Sequence, residues 1–175
     1  MSIPTLIAFT GYSGTGKSTL AREFNRVWES KHDDSWLIIS PGDIIKADLS
    51  VHPHLEPWTE DREKKRVLRP LFEAYGDASY ESVMGRYFKQ IDGAMSANLR
   101  VINHRLCRKW EAEQWTKRGG MIVHVEAAYD APHTKWESEA LESVKLSFTI
   151  FRYRNVQAVE SCGADFYNWL KERFQ

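Results

Sequence analysis

Residues Gly11-Tyr12-Ser13-Gly14-Thr15-Gly16-Lys17-Ser18 have the composition and spacing of a phosphate cradle. Glycines at 11, 14 and 16 let the backbone curl so that successive N–H groups point inward at phosphate oxygens. A lysine in the seventh place can reach the β- and γ-phosphates, and the Ser18 hydroxyl is suited to ligate Mg²⁺. An apolar run from Ile3 to Phe9 precedes the loop and reads as a buried strand. Thr19 to Phe24 follows it and reads as a helix, whose positive dipole end adds to the cradle. That strand–loop–helix context separates a phosphate site from a chance glycine turn. Gly11, Tyr12, Ser13, Gly14, Thr15, Gly16, Lys17, Ser18 and Thr19 are therefore the expected nucleotide contacts. The chain is expected to bind a nucleoside triphosphate.

Other charged residues lie where a second substrate could meet that phosphate. In doubly wound sheets ligands sit beyond the carboxyl ends of the strands. Asp43 follows the second apolar run, where its carboxylate could orient or deprotonate an acceptor. It could equally cap the helix that begins after Pro41-Gly42, and both roles are compatible. Lys46, one turn later, faces the same way. Arg69 and Arg86 lie on helical patterns whose other faces are apolar; they are either solvated charges or a bidentate clamp on a substrate phosphate. Asn103-His104-Arg105 follows the third apolar run. A carboxylate that helps hold Mg²⁺ is common there in such enzymes. Asn103 and His104 are poor substitutes for it, and His104 reads as a hydrogen-bonded strand-end residue. Arg105 is well placed to neutralise phosphate. The polar stretch from Tyr129 to Glu142 is long enough for a lid that brings Lys135 to the transferring group, or it is an exposed loop.

The elements that must position these residues alternate along the chain. Strands are expected at Leu6–Phe9, Trp36–Ile39, Val101–Ile102, Met121–Val125 and Leu146–Ile150. The helix after the loop carries Leu20, Phe24 and Val27 on one side. Thr59 is the expected cap of a helix marked by Val67, Leu68, Leu71, Phe72 and Tyr75, kinked at Pro70 and stopped by Gly76. Ser79 caps another, with Val83, Met84, Tyr87, Phe88 and Ile91 inward. A helix around Trp110 ends at Gly119-Gly120, and a closing helix bears Phe166, Trp169, Leu170 and Phe174. Strands alternating with helices imply a mostly parallel five-stranded sheet covered on both faces.

At 175 residues the default is one domain, with a substrate-binding helical region at about 43–98 and a lid at about 128–142. Lys plus Arg and Asp plus Glu are both 24, so no global charge argues for nucleic acid or an anionic membrane. Any anion recognition must be local. Cys107 and Cys162 lack metal-ligand spacing and read as reduced thiols. No basic leader and no membrane-length apolar run is present, so a cytoplasmic protein is expected. The oligomeric state stays open, a homodimer included.

Several segments together are similar to the phage-type deoxynucleoside monophosphate kinases, a branch of the P-loop nucleotide kinases. Pro41-Gly42-Asp43-Ile44-Ile45-Lys46 stands where that family has an Ala-Asp-Pro-Leu-Lys-like segment. Arg69-Pro70-Leu71-Phe72-Glu73-Ala74-Tyr75-Gly76 resembles its arginine-led helix. Ile102-Asn103-His104-Arg105 stands at its strand ending Asp-Val-Arg, and the aspartate is replaced. Trp110-Glu111-Ala112-Glu113, Gly119-Gly120 and Glu137-Ser138-Glu139 follow in the family's order. The resemblance implies a three-layer P-loop kinase fold and transfer of the γ-phosphoryl of ATP, with Mg²⁺, to a deoxynucleoside 5′-monophosphate. It implies Lys17, Asp43, Arg105 and Lys135 as catalytic, and Asp43, Lys46, Arg69, Arg86, Arg105 and Glu139 as substrate-binding. If a phage encodes the chain, the host cytoplasm is the expected place. Two alternatives remain: a kinase of another small molecule, of the sugar, shikimate or dephospho-coenzyme type, or a nucleotide-binding regulator without transfer activity.

Overall fold

The computed structural model describes residues 3–12, 14–127, 142, 148–153 and 159–174. It divides into two units, one formed by Met1–Ile38 with Asn98–Gln175 and the other by Ile39–Ala97.

The first unit holds a parallel sheet. Its strands are β1 (Leu6–Thr10), β2 (Trp36–Ile38), β3 (Arg100–Asn103), β4 (Met121–Ala127) and β5 (Phe148–Tyr153), in the order β2-β3-β1-β4-β5. β1 sits centrally, with Ile7 opposite Ile102 on one side and Met121 on the other. All five of its residues are buried, as a strand covered on both faces requires. The last strand starts and ends later than its apolar run suggested, at Phe148–Tyr153.

Alternation along the strands sorts the two faces. Ile7, Phe9, Ile102, Val123, Val125 and Phe151 face a cluster with Leu20, Phe24 and Trp28 of α1 (Lys17–Glu29). The closing helix joins it with Cys162, Phe166 and Leu170. Phe166 meets Phe9, Phe24 and Phe151 edge-on, with centroids 5.0–5.2 Å apart. α5 (Lys109–Lys117) buries Ala112 and Trp115, and the Trp115 indole N–H donates to the Met121 carbonyl at 3.2 Å. α6 (Val159–Phe174) packs on α1 at Gly163, where a Cβ would collide with the Glu23 and Phe24 backbone.

The second unit is helical: α2 (Pro41–Leu49), α3 (Arg62–Ala78) and α4 (Tyr80–Ser96). Val83, Met84, Tyr87, Phe88 and Ile91 of α4 are buried as their spacing predicts. α3 begins later than expected. Asp61, not Thr59, is its cap and accepts the Glu63 and Lys64 N–H groups. Gly76 does not stop it; the helix runs on to Ala78, and at Gly76 a Cβ would lie 2.9 Å from the Ile45 side chain. The glycine thus allows close approach to α2 rather than a terminus. Asp48 of α2 takes a bidentate ion pair from Arg86 of α4, at 2.7 Å for its Nη1, and a 3.0 Å hydrogen bond from the Tyr75 hydroxyl of α3. That guanidinium holds the Asp48 carboxyl below the usual carboxylate range, against the opposing effect of burial. No helix among the described residues is long and apolar enough to cross a membrane.

Candidate active site

The phosphate loop leaves the carboxyl end of β1 and turns into α1. Gly11 adopts φ 138°, and a Cβ there would lie 2.6 Å from the Val125 carbonyl oxygen. Only glycine can pass that close to β4 in that conformation. Gly16 caps α1 at φ 83°, left-handed. The cap makes no side-chain hydrogen bond, and no acidic residue stands in the helix's first turn. The positive end of the helix therefore meets no carboxylate from its own first turn, which suits it to an anion.

Lys17 lies across this turn. Its ammonium donates to the Gly11 carbonyl at 2.9 Å and the Tyr12 carbonyl at 2.6 Å, with the Thr15 hydroxyl at 3.4 Å. Thr15 is buried and donates its hydroxyl to the Tyr12 carbonyl at 2.9 Å. The loop's own carbonyls thus aim the lysine across its mouth. Ser13 lies outside the described residues.

Beside the loop runs the segment after β3, tied to β1 by the Leu106 N–H donating to the Phe9 carbonyl at 2.9 Å. Asn103 is buried, and its side-chain oxygen accepts the Arg105 N–H at 2.8 Å. That bond fixes the turn that leaves Arg105 exposed. His104, one residue on, points to the opposite face of the sheet, toward α1. Its Nδ1 lies 2.9 Å from the Ser18 Oγ. The imidazole expected as a strand-end hydrogen-bonding group is therefore bonded to the hydroxyl expected to meet a metal ion.

The chain's fitness for Mg²⁺ follows from this donor set. Mg²⁺ favours oxygen ligands and keeps several waters beside nucleotide phosphates. Ser18 supplies one such oxygen. No group of three or more His, Cys, Asp or Glu that could hold a metal is present among the described residues. A metal–nucleotide complex fits here if the phosphates supply most of the oxygens and Ser18 the protein's share.

Two buried acid–base groups near the loop were missed in the sequence. His124 pairs with Thr10 across the β1–β4 ladder, and its Nε2 is 3.9 Å from a Glu126 carboxylate oxygen. Burial pushes its imidazolium down, with the Lys17 charge adding to that and Glu126 opposing it. Their i, i+2 spacing on a strand was the available signal. Glu111 is buried and accepts the Cys107 and Arg108 N–H groups at 3.0 and 3.2 Å, capping α5. Burial pushes its carboxyl up, against those two hydrogen bonds. Burial likewise raises the Cys107 thiol, and neither Cys107 nor Cys162 is in a disulfide.

The expected acceptor residues of the helical unit have partners of their own. Asp43 is not the cap of α2 but its third residue; Ser40 is the cap, and its N–H and hydroxyl both donate to Asp43 Oδ2 at 2.8 Å. The other oxygen is 3.6 Å from the Lys46 ammonium, which stands 4.8 Å over the Trp58 ring. The Arg69 Nε donates to Glu73 at 2.8 Å, and Arg86 turns both arms of its fork to Asp48. Lys135, Glu139 and the rest of the lid expected at about 128–142, apart from Glu142, lie outside the described residues.

In overall structure the chain is similar to a dephospho-CoA kinase from Campylobacter jejuni, with TM-score 0.52 at 11% identity over 98% of this chain and 99% of that one. A gluconokinase from Sinorhizobium meliloti 1021 aligns over 100% of both chains at 10% identity, with a TM-score of 0.45. The chain matches no protein-family model, and no curated protein matches it in sequence.

Proposed function

We propose that the chain is an ATP-dependent phosphotransferase acting on a small hydroxylated molecule. The observation that carries this reading is the Lys17 ammonium held 2.9 and 2.6 Å from two carbonyls of its own loop, at a helix start free of acidic residues. Such a loop binds the β- and γ-phosphates through backbone N–H groups, and the lysine offsets negative charge that grows during transfer. A divalent ion supplies further charge neutralisation when bound. Ser18 holds it from the protein side, and Arg105, exposed beside the loop, adds a forked cation. Asp43 is the group this reading assigns to the acceptor hydroxyl, and Lys135 the one it assigns to the transferring phosphoryl group.

The hydroxylated acceptor is preferred because the arginines expected to clamp a monophosphate have carboxylate partners. Arg86 is paired at both arms with Asp48, and Arg69 with Glu73. The fold likeness to a dephospho-CoA kinase supports the same choice at the level of architecture. A deoxynucleoside monophosphate as acceptor is the second reading, favoured by Arg105 at the loop and by the order of short segments along the chain. Radiolabelled ATP offered with dephospho-coenzyme A, gluconate, shikimate and the four deoxynucleoside monophosphates separates the readings. Label passing to one hydroxylated acceptor supports the first, and label passing to a monophosphate supports the second. Binding of ATP with transfer to none of them favours a regulator.

A further inference from the structure

We infer that His104 is a direct nitrogen ligand of the divalent ion that accompanies the nucleotide, and that the site therefore prefers a first-row transition-metal ion to Mg²⁺. The inference deepens the nucleotide-binding reading above and rests on it. Its basis is one pair of atoms: the Ser18 Oγ and the His104 Nδ1, 2.9 Å apart although 86 positions apart in sequence. Neighbouring ligands of an octahedral ion at about 2.1 Å stand about 3 Å from each other. The two atoms already have the separation of an octahedral edge, so an ion can bridge them once the ring turns its Nδ1 lone pair from the hydroxyl to the ion.

The flanking geometry holds that edge. Asn103 is buried and fixed by the Arg105 N–H, and the Leu106 N–H to Phe9 bond ties the segment to β1. Ser18 is the second residue of α1, whose inner face is packed into the core at Leu20, Ala21 and Phe24. His104 is thus presented from a rigid strand end rather than a loose loop. A neutral imidazole binds a metal through a nitrogen lone pair. On binding, the Ser18–His104 hydrogen bond gives way to two metal–ligand bonds, from the hydroxyl oxygen and from Nδ1. Mg²⁺ is a hard ion that favours oxygen, whereas imidazole suits the transition metals, with affinity rising from Mn²⁺ to Co²⁺. The Asn103 side-chain oxygen already accepts the Arg105 N–H in the turn.

Pulsed EPR of the full chain with Mn²⁺ and ADP tests this without any turnover. The wild type is expected to show ¹⁴N modulation that changes when histidine alone is ¹⁵N-labelled. Calorimetry with the Mg²⁺, Mn²⁺ and Co²⁺ complexes of ADP gives a second readout. His104→Gln, with His104→Asn as a second variant checked by its melting curve, should weaken the Co²⁺ and Mn²⁺ complexes by about tenfold or more. It should leave the Mg²⁺ complex within about twofold, because that ion gains little from imidazole. Tight Mn²⁺–ADP binding without histidine-dependent modulation overturns the ligand assignment and leaves the nucleotide site standing. Tighter binding of all three complexes by the variants also overturns it, since His104 would then be withholding Ser18. Failure of the wild type to bind ADP with any ion overturns the nucleotide reading itself.

Discussion

Lys17 is the residue on which most depends. Replacing it with alanine removes the loop side chain that the proposed function assigns to charge on the transferring phosphoryl group. Lys17→Ala should lower kcat by about 10²–10³-fold or more, with the melting temperature little changed. A radiolabel-transfer assay beside a thermal melt checks both halves, and near-wild-type turnover would remove the phosphate-loop assignment. Asp43 presents a sharper choice, because the Ser40 N–H and hydroxyl both donate to one of its oxygens. Asp43→Asn keeps an acceptor for the cap but removes the charge. If the carboxylate works on the acceptor, kcat falls by about 10²–10⁴-fold while ATP affinity by calorimetry holds. If it serves only the capping box with Ser40, stability moves and kcat does not. Glu111 carries a pH signature. Burial raises its carboxyl, so the native state favours the protonated form, and that contribution is lost as pH climbs through the raised value. Glu111→Gln keeps an oxygen for the Cys107 and Arg108 N–H groups and removes the buried charge. The variant's melting temperature should gain on the wild type as pH rises above the ordinary carboxylate value of 4.5, and a constant difference would contradict this.

Among the elements, α1 is held in place by contact as close as backbone on backbone. At Gly163 of α6 even a methyl group would run into the Glu23 and Phe24 main chain. Gly163→Val should therefore destabilise the fold by about 1–3 kcal/mol or more, read by denaturant unfolding, because neither helix backbone can yield cheaply. In the helical unit, Asp48 joins three helices through Arg86 and Tyr75. Asp48→Ala should cost about 1–2 kcal/mol, a value kept modest because Arg86 is nearly half exposed at 46%. These elements differ in how far their patterns could be read. The loop's context and the inward face of α4 were legible because one apolar period describes each. α3 was legible as a helix but not in its surroundings: Val67 and Leu71 of its expected apolar face are 74% and 39% exposed. A repeat of apolar residues names a face, not what covers it. The Ser40 and Asp61 caps were misplaced by three residues or fewer for a related reason. Several short polar side chains stood near each helix start, and only the chain's path decides which one meets the N–H groups.

For the molecule as a whole, the parallel α/β architecture could be read from strand and helix alternation, and the central place of β1 from its uniformly apolar run. The site was legible only where a backbone shape demands particular residues, as the loop demands Gly11 and Gly16. Pairings between distant positions, such as Ser18 with His104, carry no such pattern and needed the fold. The helical unit, Ile39–Ala97, is a single unbroken insertion in the connection from β2 to its parallel neighbour β3, while the phosphate loop lies between β1 and α1. A crossover between parallel strands must be long, but it need not have a particular content. The segment can therefore be inherited, lost or exchanged as a cassette without altering strand order or the residues that grip phosphate. Chimeras that replace residues 39–97 with the corresponding crossover of another such fold should keep ATP affinity and change which acceptor is used. On the proposed function, acceptor choice is then free to evolve apart from the loop that holds the nucleotide.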